Sequence, residues 1–375
     1  MLRRLNLRLT IIALALLALA AWVIAREHRP SFLRPDLHLH AYVSSSTAGT
    51  VTVVDLVKLA PIATVSVGPA PSGLRAHPTR NELWGVSTEG GFVWVLDTVS
   101  HEVISRIPIG NSPFAIDFSP DGSRAFVAVS GSNLLLAIDC RSRQIIARAR
   151  TGRSPWLARV SPDAKFLLVP YRDDSALALF DASTLSLLAT IPVAPQPEQV
   201  VVLPDSSVAF VSSAGSSQVS AVDLRRRVLL ATLPLSGPAA DLILKPDGGE
   251  LYVTTPDSHS LDILNTWTTE NAQSLLLGSS PTRGTLTSDS QFLFVSDSAA
   301  GRVLPIEVAS RLVRRPIPVG SRPGVLRLTP DDRLLLVVNE DSGDLAVIRA
   351  STPNLSLLTL IRVGPRPNDL ALKVF

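Results

Sequence analysis

A step of 42 residues from Asp55 lands on Asp97, Asp139, Asp181, Asp223, Asn265, Glu307 and Arg349. Each of these closes a short apolar run: TVTVVD, FVWVLD, LLLAID, LALFD, VSAVD, LDILN, VLPIE, LAVIR. A second column (Gly68, Gly110, Gly152, Ala194, Ser236, Gly278, Gly320) and a third (Pro78, Pro120, Pro162, Pro204, Pro246, Ser288, Pro330) keep the same register. Only the last unit drifts, gaining two residues before Gly364. A period of this length belongs to repeat architectures, in which one unit cannot bury its faces alone and must stack on its neighbours.

Each unit holds four apolar runs separated by turn residues. In one they are FAIDFS, AFVAVS, LLLAID and VISRIPI, lengths and compositions that predict strands. SPDG suits a type I turn, with Pro fixing φ at its second position. Pro108, Pro192, Pro234 and Pro318 share a column in the fourth strand, and proline lacks the N–H that a central ladder needs, so that strand is an edge. A four-stranded unit of about forty residues with an outer edge is one blade of a β-propeller.

The third strand occurs eight times, from Val51 to Leu345. First strands begin at residues 71, 113, 155, 197, 239, 281 and 323, and once more at Pro367 as PNDLALKVF. That last strand has no partners downstream, whereas HLHAYVSS, TVTVVD and ATVSV near the start have no first strand upstream. The expectation is an all-β, eight-bladed propeller of four-stranded antiparallel blades, closed by a blade shared between the two termini, with seven blades as the alternative. Blade limits are 71–112, 113–154, 155–196, 197–238, 239–280, 281–322, 323–366, and 367–375 joined to 38–70.

The unit IPVG…P…SPDG…L.V…S..L.VID, together with Tyr252-Val253-Thr254-Thr255, resembles the YVTN-repeat, YncE-like propellers over residues 38 to 375. The resemblance implies the fold. It leaves function open, since that family hosts binding proteins, surface proteins and lactonase-like enzymes, and eight-bladed relatives include haem d1 domains.

Ahead of the repeats, MLRRLNLRL carries Arg3, Arg4 and Arg8, and an uncharged run of 17 residues extends from Leu9 to Ala25. Basic-then-apolar is the layout of a signal peptide or signal anchor, and the length is at the lower limit for a spanning helix. Residues 1–25 are read as that export segment, forming one apolar helix and placing residues 38–375 on the periplasmic or extracellular side, with the membrane as a partner. Residues 26–37 read as a stiff linker. The 31 Arg outnumber 4 Lys, yet net charge is only +3 and no element gathers the excess, which speaks against nucleic acid without excluding it. The single cysteine, Cys140, rules out a disulfide framework and any multi-cysteine metal or haem motif.

In a meander of this kind the first strand lines the axis, and the rim carrying the Gly-x-x-Pro segments is the usual ligand face. Around the apolar column Leu74, Ile116, Ala158, Val200, Leu242 and Leu326, interrupted by Gly284, stand Arg75, Asp117, Arg159, Asp241, Arg283, Arg327 and Asp369. The rim adds Arg153, Trp156, Arg322 and Arg366. Guanidinium forks pair with carboxylate or phosphate and stack on rings, so this set suits a small anionic or aromatic ligand. The bland alternative is that Arg and Asp neutralise one another across a wet channel. His259 is the one histidine on that rim and the candidate ligand for a bound cofactor, although its column (Gly49, Gly91, Asn133, Ser175, Ser217, Gly301, Gly343) is that of a left-handed turn. The Asp column reads as turn caps rather than a carboxylate ring. No cofactor and no catalytic or metal-binding set is predicted.

Three functions remain open at this point. The first is a non-catalytic exported binding or scaffold propeller, engaging a protein partner or small ligand. The second is a propeller enzyme, either lactonase-like or a redox protein using haem d1 or a quinone. The third is a cell-surface structural protein.

Overall fold

A computed structural model describes residues 39–351 and 355–375. The apolar segment 9–25, expected to form a helix, lies outside the described residues. Among the described residues no helix is long and apolar enough to cross a membrane.

Eight antiparallel sheets follow one another around the chain, each in the order first, second, third, fourth strand. The first blade is Pro71–Ala76, Glu82–Ser87, Phe92–Asp97 and Glu102–Pro108. Later blades repeat it, with three departures, of which the mildest is a fifth-blade first strand shortened to Asp241–Leu244. The first strand of the third blade shrinks to Arg159–Val160, with Pro155 bridging Tyr171 ahead of it. In the sixth blade the fourth strand is split into Leu312–Val313 and Ile317–Pro318. The split lies opposite Pro305, which has no N–H to offer its neighbour; Arg314 N instead donates to Pro305 O at 2.7 Å.

In the eighth sheet Pro367–Val374 pairs with Leu39–Ser45, from Leu39 opposite Val374 to Ser44 opposite Asp369. Thr50–Asp55 and Ala60–Ser66 complete that blade. The two ends of the described chain therefore close the ring by an antiparallel ladder.

Packing repeats with the same period. The column Tyr42, Trp84, Phe126, Leu168, Phe210, Tyr252, Phe294, Leu336 sits in the second strands and is fully buried, aromatic in six of eight blades. Two of these rings anchor polar rivets between blades. Trp84 Nε1 donates to Glu82 Oε2 at 2.9 Å, and Arg143 of the next blade donates to Glu82 Oε1 at 3.0 Å. Four blades on, Tyr252 Oη donates to Glu250 at 2.5 Å and Arg311 donates to both groups. Buried polar atoms need partners, and these bonds satisfy them across the blade boundary.

The aspartates at the ends of third strands behave as caps. Asp55, Asp97, Asp139 and Asp181 each accept the backbone N–H groups two and three residues on. For Asp181, the Ser183 hydroxyl above all, with the Thr184 N–H next, holds the carboxyl down to about 2.

His77 is buried in the turn after the first blade's inner strand. Its Nδ1 accepts from Thr79 N and Arg80 N, so Nε2–H donates to Gly122 O of the second blade at 2.9 Å. Gly122 is left-handed (φ +69), and a Cβ there would lie 2.7 Å from the imidazole. Burial holds the pKa of His77 below its ordinary value, and that of His101 likewise. A folded-state pKa below the unfolded one means that the unfolded chain takes up the proton first, so stability is full above about pH 6.5 and falls as pH drops below it. Thermal melts from pH 7.5 downward should show a falling Tm, as unfolding free energy is lost by at most about 1.4 kcal/mol per pH unit for each such histidine. His77→Gln should flatten that slope by its own share; an unchanged slope contradicts the assignment.

Candidate binding site in the central channel

The inner strands present one edge to the channel, where their N–H groups have no sheet partner. Side chains from the preceding blade reach across to satisfy them. Asp369 Oδ2 accepts from Leu74 N at 2.9 Å, Gln199 Oε1 from Leu242 N at 3.3 Å, Asp241 Oδ2 from Gly284 N at 3.0 Å, and Asp117 Oδ2 from Val160 N at 3.2 Å. Gln199 also donates to Ala240 O at 2.7 Å. Charge singled out the aspartates in the sequence but passed over Gln199, which stands one residue before the apolar column, as do Asp241 and Asp369. That register was the available signal.

The expected arginines divide into two groups. Arg159 pairs with Asp117 and Arg283 with Asp241, each at 3.3 Å, and Arg283 also donates to Ala240 O. On the rim, Arg153 pairs with Asp174 at 2.6 Å, Arg322 with Glu340 at 3.3 Å and Arg366 with Asp341 at 3.2 Å. Trp156 is stacked on Phe114 (4.1 Å between centroids, 27°), and the Arg172 guanidinium lies 4.4 Å over its ring. Its aromatic surface is thus already in use.

Arg75 and Arg327 differ. Each is half-buried and donates only to the carbonyl of the residue before it, Leu74 O at 3.3 Å and Leu326 O at 3.1 Å; among the described residues neither is in an ion pair. Asp369 stands in the blade between them, but Leu74 N holds its Oδ2 and Leu370 N its Oδ1. Both arginines are the fifth residue of six-residue strands that start at the Gly-x-x-Pro rim. They therefore lie deeper in the channel than Arg283, the third residue of its strand.

Desolvation is strong here. Burial pulls the Arg327 guanidinium below its ordinary value, against the opposing pull of Asp369. Arg159 is lowered for the same reason despite Asp117. Asp241 is raised by burial, with Arg283 opposing. Four arginines (75, 159, 283, 327) face three aspartates (117, 241, 369), one net positive charge in a poorly solvated lining.

His259 is exposed, left-handed (φ +54), and ends a short 3-10 turn in the fifth blade. Its ring Nδ1 lies 2.5 Å from Ser279 O, an acceptor, so Nδ1 carries the hydrogen and Nε2 keeps its lone pair in the neutral form. No group of three or more His, Cys, Asp or Glu side chains among the described residues could hold a metal ion. Cys140 is buried, and desolvation pushes its thiol up to about 12, which makes it unreactive.

No family model matches the chain, and no curated protein matches it in sequence. Solved structures do resemble it. Dihydro-heme d1 dehydrogenase NirN, solved in complex with DHE, superposes with a TM-score of 0.74 at 18% identity, over 92% of this chain and 77% of that one. Kuenenia stuttgartiensis hydrazine synthase gives 0.62 at 19% identity, over 76% and 96%. A functionally unknown protein from Desulfotomaculum acetoxidans gives 0.62 at 14% identity, over 78% and 98%. This chain is an eight-bladed β-propeller. At such identities the likeness is one of fold alone.

Proposed function

We propose that this propeller is a non-catalytic binding protein of the YVTN, YncE-like type, exported by residues 1–25 and held at the membrane by residues 9–25, which takes a small anionic ligand in its channel. One observation carries the reading: among the described residues Arg75 and Arg327 are half-buried with no direct ion pair and only Asp369 between them, while Arg159 and Arg283 each have a carboxylate in contact. Two half-buried guanidinium groups beside one carboxylate leave a positive charge over, and an anion bearing carboxylate or phosphate groups supplies what is missing. Benzene-1,3,5-tricarboxylate, a planar trianion, is a suitable probe. Calorimetry should show its uptake at one-to-one stoichiometry; no heat beyond dilution contradicts the reading.

A second reading, a haem d1-type cofactor, is favoured by His259. A backbone carbonyl fixes its tautomer and leaves Nε2 with a lone pair, the arrangement that prepares an imidazole for iron. Such a cofactor would supply redox chemistry, and NirN, the structure with the 0.74 TM-score, carries DHE. Hemin added to the purified chain should then give a shifted Soret band that His259→Ala abolishes. A spectrum identical to free hemin, or a shift that survives in the variant, removes the reading.

A further inference from the structure

A separate constellation stands at the other end of the blades, where first strands turn into second and third into fourth. Trp267 tips the turn between Ser260–Asn265 and Glu270–Leu276 of the fifth blade and is 75% exposed. Nothing in the repeat asks for an indole there: the equivalent residues are Val57, Val99, Arg141, Ser183, Arg225, Ala309 and Ser351. The turn is held, with Asn265 Oδ1 accepting from Trp267 N and Thr268 N at 3.0 Å. The ring edge lies against Gly249; a Cβ on that glycine would be 3.3 Å from the indole and 3.4 Å from Asp247 Oδ1. Indole and carboxylate are thus neighbours across a residue with no side chain.

Asp247 in turn lines an open cavity of about 620 Å³ shared by the fifth and sixth blades, with Lys245, Glu250, Asp289, Glu307 and Arg311. These groups are already held in place. Lys245 pairs with Asp247 at 2.9 Å, Arg311 with Glu250, and Glu307 with Arg314 at 2.7 Å. Asp289 accepts from Thr287 Oγ1 at 2.6 Å and Gln291 N at 2.9 Å. The volume is that of a small-ligand site.

Donors (Lys245, Gln291, Arg311) and carboxylate acceptors line the cavity together, and three of its four carboxylates have a cation beside them. A cationic peptide would find one unmatched carboxylate, and an anion would meet an excess of them. A neutral molecule carrying both O–H donors and oxygen acceptors fits, provided that it also offers an apolar C–H face to the indole. We infer that the cavity between Lys245 and Arg311, together with Trp267 beside Asp247, is a saccharide-binding site, independent of the channel.

Chitotetraose, cellotetraose and maltotetraose titrated into the full chain, followed by tryptophan fluorescence and saturation-transfer NMR, test this. At least one should bind saturably. Trp267→Ala should weaken it at least tenfold, and Asp289→Asn should weaken it too, both with unchanged Tm. Arg75→Ala should leave it intact. Failure of all three sugars to bind, binding indifferent to Trp267→Ala, or capture of an oligolysine peptide at this cavity in their place would each overturn the inference.

Discussion

A chain that stops at Gly364 should fail to form the propeller. The lost segment is the inner strand of the eighth blade, and its removal strips the ladder partner from Leu39–Ser45. Leu370 and Ala371 leave the core. The channel latch from Asp369 to Leu74 N disappears, as does the bond from Asn368 Nδ2 to Pro71 O at 2.9 Å. Lys373 Nζ no longer holds His77 O and Arg80 O at 3.0 and 2.6 Å. A domain's whole stability is about 5–15 kcal/mol, so losing the ring-closing inner strand with its side-chain bonds consumes most of it. Circular dichroism should show no cooperative melt, and limited proteolysis should degrade the product. A synthetic peptide of residues 365–375, added in trans, should restore protection. A truncated chain that melts cooperatively at the full-length Tm would disprove closure by the shared blade.

Replacing both Arg75 and Arg327 by alanine should abolish most affinity for anions in the channel. Hydrogen bonds to charged groups are worth about 1.5–3 kcal/mol each, roughly a ten- to hundredfold loss per arginine. The two face a common space, so their losses should not simply add. Lysine at both positions keeps the charge but not the fork, and should recover only part of the affinity. Stability should move the other way or stay put, because each substitution removes a half-buried unpaired charge. A double variant that binds the tricarboxylate as well as wild type, or that is strongly destabilised, contradicts this.

The fold was legible because periodicity survives substitution. Asp55 and its seven counterparts keep one register even where the residue becomes Asn265, Glu307 or Arg349, since what repeats is a strand ending in a turn. The edge prolines ordered the strands because a missing N–H is a local fact with a global consequence. The site was less legible. Charge and register placed Arg75, Arg159, Arg283 and Arg327 around one axis but could not say which had partners, because that depends on neighbouring blades. Asp117 and Asp241 take the second and third; Asp369 is spent on backbone and leaves the other two. Trp156 looked like an open platform in the sequence, and only the fold brings Phe114 and Arg172 onto it. Trp267 was passed over because a lone aromatic in a turn carries no pattern.

The most direct test is a side-by-side calorimetric titration of wild type and the Arg75→Ala/Arg327→Ala variant with benzene-1,3,5-tricarboxylate, at about 0.05 M and about 0.5 M NaCl. Wild type should bind one equivalent, less tightly at the higher salt, and the variant should bind at least tenfold more weakly at both. Equal affinity in the two proteins would contradict an anion site built on the unmatched arginines.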